Sequence, residues 1–135
     1  MAQERRSTLV NALETCGLDV LPACDCNEAR RMLETQPPVQ VVVTDARLHD
    51  GHWRRVLEIV ERGRRKIEVI VYSRLGDPKL WLDVLEQGGY DVLVEPFEHE
   101  EVQRIVEAAA ARSYMRSPAQ TTNHAYNAAR AAVAG

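Results

Sequence analysis

The sequence predicts an α/β fold in which helices cover both faces of a parallel sheet. Short apolar runs alternate with amphipathic helical patterns along most of the chain. The clearest run, Val41-Val42-Val43-Thr44, is rich in β-branched residues and ends on Asp45, which is typical of a strand buried on both faces. Because strand and helix alternate, we expect parallel strands joined by right-handed crossovers. The predicted architecture is a doubly wound parallel sheet.

The composition predicts a soluble globular protein of one domain. The chain has 135 residues, 45% hydrophobic and 27% charged, which is long enough for a substantial core. The net charge of −3 gives no general reason to expect direct nucleic-acid binding. No apolar run approaches the roughly 20 residues of a membrane helix, and no signal-peptide pattern is visible. Three cysteines suit a reducing compartment, so we expect a cytoplasmic protein that does not bind membranes.

The first half of the chain is predicted to contain two helices and two strands. They are a helix at Arg5–Cys16, a strand at Leu18–Cys24, a helix at Glu28–Thr35 and a strand at Gln40–Thr44. Gly17 ends the first helix. Pro22 favours an edge position or a bulge for the first strand, and Asn27 is the predicted N-cap of the second helix.

The second half continues the alternation. It is predicted to contain a helix at His52–Arg62, a strand at Ile67–Tyr72, a helix from Asp77-Pro78 to Gln87, a strand at Tyr90–Val94 and a helix at Phe97–Arg112. Asp77 caps its helix, with Pro78 at the first helical position. The apolar stripe of the helix at His52–Arg62 begins at Trp53, and we expect both Trp53 and Trp81 in the core.

The composition changes after Ser117-Pro118. We therefore divide the chain into a domain at 1–116 and an Ala-rich tail at 117–135. The tail carries one candidate short helix near Ala125 to Val133, whose apolar side is almost all alanine and would bury little. The tail is expected to dock loosely or to serve in self-association.

Three of the predicted strands end on or just before polar residues, namely Asp45, Ser73 and Glu95. The carboxyl ends of parallel strands meet at one edge of a sheet, where ligands of such folds bind. We therefore expect these three side chains at one edge. The structural alternatives are an aspartate that caps a loop, a turn serine and a solvated carboxylate.

Two other groups of metal-ligating residue types carry weaker signals. His49, Asp50 and His52 match no strong ligand spacing, and exposed loop residues are the preferred interpretation. Cys24-x-Cys26 lacks the second pair that a zinc site needs. The sequence also has no nucleophile–base pair or Gly-rich phosphate loop at a recognisable spacing, so we expect no enzyme and no catalytic residues.

The pattern resembles the response-regulator receiver domain of two-component signalling over roughly residues 4 to 112. In that family, which has a flavodoxin-like fold, a phosphoacceptor Asp ends the third strand, a Thr or Ser ends the fourth, and Lys-Pro follows the fifth. Here VVVTD places Asp45 at the phosphoacceptor position, VIVYS places Ser73 at the phosphoryl-contacting hydroxyl position, and DVLVEPF places Glu95 at the lysine position. The loop LHDG, Leu48 to Gly51, resembles the family's L-P-D-G variant.

The chain departs from the family pattern at three places. The family's first strand and its Mg²⁺-binding acidic pair are not visible, because the chain starts inside what would be the first helix. Glu95 replaces the lysine, and Val92 stands where the family has its switching aromatic residue. Without a first strand, Leu18–Cys24 is expected to pair directly with Gln40–Thr44, or another chain must fill the gap. Either the recorded start codon is too late, or the chain is a truncated variant, for which a homodimer is an alternative.

The resemblance implies two hypotheses about function. In the first, a sensor histidine kinase or phosphotransfer protein phosphorylates Asp45, and a downstream protein reads the change. Mg²⁺ is the implied cofactor, with Asp45 as its only visible ligand and Glu95 as a possible replacement ligand. In the second, the chain is a degenerate pseudo-receiver that binds a protein partner without phosphorylation. Any output is expected through the face built from Asp77 to Arg112.

Overall fold

The computed structural model describes residues 3–35, 39–63, 66–74, 76–116 and 130–135. The helices are α1 Gln3–Thr15, α2 Cys26–Thr35, α3 Trp53–Arg62, α4 Pro78–Glu86 and α5 His99–Arg116. The strands are β1 Asp19–Ala23, β2 Val41–Asp45, β3 Arg47–Leu48, β4 Gly51–His52, β5 Glu68–Ser73, β6 Asp91–Val94 and β7 Arg130–Ala134. The helices and strands predicted between residues 5 and 112 are therefore present, with small shifts at their ends.

Five strands form one parallel sheet in the order β1-β7-β2-β5-β6. The predicted doubly wound parallel architecture is confirmed. The edge position that Pro22 favours is also confirmed, because β1 is an outer strand. The short strands β3 and β4 form a separate antiparallel hairpin between β2 and α3.

The two faces of the sheet carry separate apolar cores. Side chains of β2 alternate between them, as expected for a strand buried on both faces. Val41 and Val43 belong to the core that contains residues of α1 and α5. Val42 belongs to the core that contains residues of α2, α3 and α4. The strand ends are thereby held rigidly between two helical layers.

The interior strand β7 overturns the expectation of a missing strand. It lies between β1 and β2 and pairs in parallel with both, from Asp19↔Arg130 to Ala23↔Ala134 on one side and from Val41↔Ala131 to Thr44↔Ala134 on the other. The flavodoxin-like order is 2-1-3-4-5, so β7 takes the place of the first strand. Neither direct pairing of β1 with β2 nor a second chain is needed to complete the sheet.

The prediction of a loosely docked tail helix near Ala125 to Val133 is therefore wrong for residues 130–133. These residues are extended; residues 125–129 lie outside the described ranges. Each residue from Ala131 to Ala134 is at most 1% exposed. Sheet context has overridden the helix preference of alanine, which is a weak local preference.

Polar contacts around Arg130 fix the register of β7. The Arg130 backbone N–H donates to Oε1 of Gln40 at 2.6 Å, and the Gln40 N–H donates to the Arg130 carbonyl at 3.0 Å. The Arg130 side chain lies 3.4 Å from Oδ2 of Asp19 on the other neighbouring strand. A slip of one residue would exchange the faces of every side chain in the strand, so these contacts select the observed pairing.

Two further local predictions need correction, and one is confirmed. Asp25, not Asn27, caps α2, because its Oδ1 accepts the N–H of Glu28 at 2.8 Å. Trp81 is not in the core but 49% exposed, whereas Trp53 is buried. Asp77 does cap α4, and Pro78 follows it in the first turn.

Among the described residues, no helix is both long enough and apolar enough to span a membrane.

A charge placed in β7 tests its position inside the sheet. We expect Ala132→Asp to lower the free energy of unfolding by about 3 to 5 kcal/mol, because it buries an uncompensated charge. Ala108→Asp on the exposed side of α5 is the matched control and should cost about 1 kcal/mol or less. Urea unfolding followed by circular dichroism measures both. Equal unfolding midpoints for the two variants would contradict the placement of β7 inside the sheet.

Candidate functional site

The carboxyl edge of the main sheet, where its five strands end, brings together the three predicted site residues. Asp45 ends β2, Ser73 ends β5, and Glu95 follows β6 and is joined to Pro96 by a cis peptide bond. These strands are consecutive in the sheet. Hydrogen bonds of 3.0 Å tie their ends, from the Ala46 N–H to the Tyr72 carbonyl and from the Glu95 N–H to the Ser73 carbonyl.

Of the three site residues, Asp45 lies nearest the middle of the sheet, because it ends β2, the third of the five strands. It is partly buried, and its Oδ1 accepts the N–H of Arg47 at 3.2 Å. This bond is the one that a loop-capping aspartate makes. It also orients the carboxylate at the end of the strand, so the contact is compatible with both sequence interpretations.

On the other side of Asp45, the edge is formed by the end of β7. Thr44 pairs with Ala134, so continuing the register places Gly135 level with Asp45. The Gly135 N–H donates to the Ala23 carbonyl at 3.0 Å. The described residues of β7 therefore bring no carboxylate to the position where the family has its metal-binding acidic pair.

The loop that follows Asp45 is a tight hairpin. Arg47 pairs with His52 and Leu48 with Gly51, and the Trp53 N–H donates to the Ala46 carbonyl at 3.2 Å. Leu48 is buried, which leaves His49 and Asp50 at the tip. These hydrogen bonds and strand pairs close the base of the hairpin beside Asp45.

The tip of this hairpin caps α2. Oδ1 of Asp50 accepts the Cys26 N–H at 2.9 Å, and Oδ2 accepts the Asn27 N–H at 3.2 Å. Nε2 of His49 lies 3.1 Å from Oδ2 of Asp25. A helix N-terminus has unsatisfied N–H groups and favours negative charge. The Cys26 backbone N–H is the main cause that lowers the pKa of Asp50 below its usual value, with Asn27 adding to it.

The sequence interpretation missed this contact between the hairpin and α2. The sequence did carry a signal for the local cap at the start of α2. Asp25-x-x-Glu28 has capping-box spacing, and Oε1 of Glu28 accepts the Cys24 N–H at 3.0 Å. The role of Asp50 carries no such signal. It depends on bringing together residues 24 positions apart.

Cys26 lies beneath the same contact. Burial, reinforced by its hydrogen bond to Asp50, raises the pKa of the Cys26 thiol to about 11, so the thiol stays protonated at neutral pH. A methyl group at Gly51 would stand 3.2 Å from its sulfur. In this fold Cys26 is therefore a buried packing residue.

The described residues do not fit a magnesium site of the family type. Mg²⁺ prefers several oxygen ligands in octahedral geometry. The one described group of three candidate ligands is Asp25, His49 and Asp50, and hydrogen bonds to α2 account for its two carboxylates. Asp45 does not belong to any such group within the described part of the chain.

Comparisons with known proteins agree with the fold. Residues 2–107 match the family model described as response regulator receiver domain. No curated protein matches. A two-component response regulator from Clostridium difficile is 22% identical, with 86% of this chain and 93% of that chain covered at a TM-score of 0.71.

Two further solved structures are similar. The receiver domain of NtrX from Brucella abortus is 20% identical, with 83% of this chain and 94% of that chain covered at a TM-score of 0.74. The beryllofluoride-activated NtrC4 receiver domain dimer is 22% identical, with 82% and 91% covered at a TM-score of 0.74. At these identities the structures establish the shared fold.

Removing the negative charge of Asp50 tests the cap. Because its pKa is lowered in the folded state, Asp50 stabilises the fold above its ordinary pKa of 3.8. That contribution is lost as the pH falls through the lower folded-state pKa. We expect Asp50→Asn to lower the urea midpoint at neutral pH, and the difference from the unmodified chain to shrink in acid.

Glu58→Gln, which removes an exposed carboxylate from α3, is the control and should leave the midpoint nearly unchanged. Identical midpoints for Asp50→Asn and the unmodified chain at neutral pH would show that the Asp50 cap contributes nothing to the stability of the fold.

Proposed function

The chain belongs to the response regulator receiver domain family, and we propose that it serves two-component signalling as a protein-interaction module without phosphorylation of Asp45. The observation that carries this proposal is Glu95, which follows β6 at the position of the family's lysine. In the family, that lysine contacts the phosphoryl group. A carboxylate there changes the charge that an incoming phosphoryl group would meet.

The electrostatic repulsion between a carboxylate at this position and a phosphoryl group is large for a reactive site. A carboxylate about 4 Å from a phosphoryl oxygen repels it by roughly 1 kcal/mol in water and roughly 4 kcal/mol at an effective dielectric of 20. A lysine at the same place would attract it by a similar amount. Since phosphoryl transfer depends on stabilising the charge of the equatorial oxygens, Glu95 opposes the reaction where the family lysine assists it.

The strand on the other side of Asp45 also supports the proposal. Gly135, which the strand register places level with Asp45, has no side chain to hold a metal ion. We therefore derive no step that uses Mg²⁺. The remaining features of the edge, a sheet packed on both faces and a closed hairpin, are compatible with a surface for contact with another protein.

The alternative function is the phosphoacceptor role of Asp45, and the position of Asp45 favours it. The carboxylate stands at the carboxyl end of β2 beside Ser73, whose hydroxyl would contact the phosphoryl group. Arg47 and Arg74 are exposed cations that follow these two residues. In this role a sensor histidine kinase or a phosphotransfer protein would donate the phosphoryl group to the carboxylate, which is a workable nucleophile.

In either role the partner surface that we propose includes the outer side of α4. Trp81 and Leu82 are 49% and 50% exposed, and Leu85 is 36% exposed. Exposed apolar side chains that cluster on one element are typical of protein contact sites. This surface lies within the face from Asp77 to Arg112 and suits a downstream protein or a second copy of the chain.

Chemical phosphorylation separates the two functions. After incubation with acetyl phosphate and Mg²⁺, we expect the intact mass of the folded chain to stay unchanged, because Glu95 repels the phosphoryl group. Asp45→Asn is the control for modification elsewhere, and an active receiver domain under the same conditions controls for the reagent. A single phosphoryl adduct on the chain that is absent from Asp45→Asn would overturn the proposal and support the alternative.

A further inference from the structure

A groove of about 420 Å³ lies between α2 and α3. Its walls come from Arg30, Leu33 and Glu34 on α2, from residues between Arg55 and Arg62 on α3, from Gly63 directly after α3 and from Ile67 before β5. Its size falls within the range of binding pockets in proteins, about 300 to 1,000 Å³.

The groove combines an apolar base with a charged rim. Leu33, Ile59 and Ile67 line it and are partly buried, so each still presents aliphatic surface to an incoming group. The charged residues of its lining are exposed and comprise three arginines against two glutamates, namely Arg30, Arg55, Arg62, Glu34 and Glu58. The rim is therefore positive in a chain whose net charge is −3.

The three rim arginines differ from the arginines of the molecule that are held in ion pairs. Arg54, Arg112 and Arg130 each have a carboxylate partner at 3.4 to 3.7 Å. Among the described residues, Arg30, Arg55 and Arg62 form no ion pair with a carboxylate. These donors are therefore available to a ligand, and arginine is well suited to bidentate binding of carboxylates.

We propose that this groove binds an acidic, amphipathic peptide segment of a partner protein. Its aliphatic side chains would cover Leu33, Ile59 and Ile67, and its carboxylates would accept hydrogen bonds from the rim arginines. An amphipathic segment seated between two helices is a common mode of peptide recognition. Nucleic acid fits less well, because it prefers aromatic stacking surfaces and a broadly positive protein.

Most of the groove lies away from the carboxyl edge, and only Arg55, in the first turn of α3, lies toward that edge. Its lining residues include the last turns of α2 and α3 and Ile67, which directly precedes β5. These positions lie at the opposite edge of the sheet from Asp45, because helices of this fold run antiparallel to the strands that they join. A peptide in the groove and a protein at α4 or the carboxyl edge would thus bind different surfaces.

Selection from a random-peptide phage library on the immobilised full chain tests the proposal. We expect enriched peptides in which Asp and Glu flank aliphatic residues. Fluorescence anisotropy with the labelled synthetic peptides then measures affinity. Arg30→Glu/Arg55→Glu should weaken binding by about ten-fold or more, whereas Arg31→Glu/Arg104→Glu, with the same change in net charge at exposed positions outside the groove, should not.

Three results would overturn the proposal. The first is a selection without enriched acidic peptides. The second is equal weakening in both double variants, which would mean that only net charge matters. The third is tighter binding of a labelled oligothymidylate than of the peptides by the unmodified chain, lost in Arg30→Glu/Arg55→Glu, which would assign the groove to nucleic acid.

Discussion

The structure depends on filling the interior position between β1 and β2 in its parallel sheet. A strand at that position must satisfy backbone groups on both sides, because an unpaired buried N–H or C=O group costs as much as a lost hydrogen bond. Here β7 supplies these bonds to β1 and β2. It also places Ala131 and Val133 in one core and Ala132 and Ala134 in the other. Both helical layers are thus packed against a strand that comes last in the sequence.

This arrangement also sets the chemistry of the carboxyl edge. Asp45 lies between a strand that ends in Ala134-Gly135 and a strand that ends in Ser73, with Glu95 one strand further on. The fold of the family is therefore kept while the charges around its phosphoacceptor position are changed. The hairpin after Asp45 is held by Asp50 at the N-terminus of α2, so the edge is a firm surface. These features of structure and charge are the basis of our proposal that the chain acts by recognition and not by phosphoryl transfer.

Most of the fold could be predicted because local and global signals agree between residues 5 and 112. The run of β-branched residues at Val41-Val42-Val43 predicts a buried strand. Asp77-Pro78 predicts the start of a helix, because it combines a capping aspartate with a proline at the first helical position. The segment at Arg130–Ala134 could not be predicted in this way, because alanine favours helices and buries little surface. Its pairing depends on Gln40 and Asp19, which are distant in the sequence. Trp81 was misplaced for a similar reason, since helical spacing does not reveal which face has a partner.

Hydrogen exchange at the amides of Ala131, Ala132 and Val133 tests the central claim most directly. Core strands exchange only on global opening, whereas loosely docked segments exchange through local fluctuations. With β7 inside the sheet, these three amides should be as strongly protected as those of Val42 and Val43 on the neighbouring strand. Exchange at the rate of an unstructured peptide, while Val42 and Val43 stay protected, would show that the sheet is completed without β7 and would contradict the account.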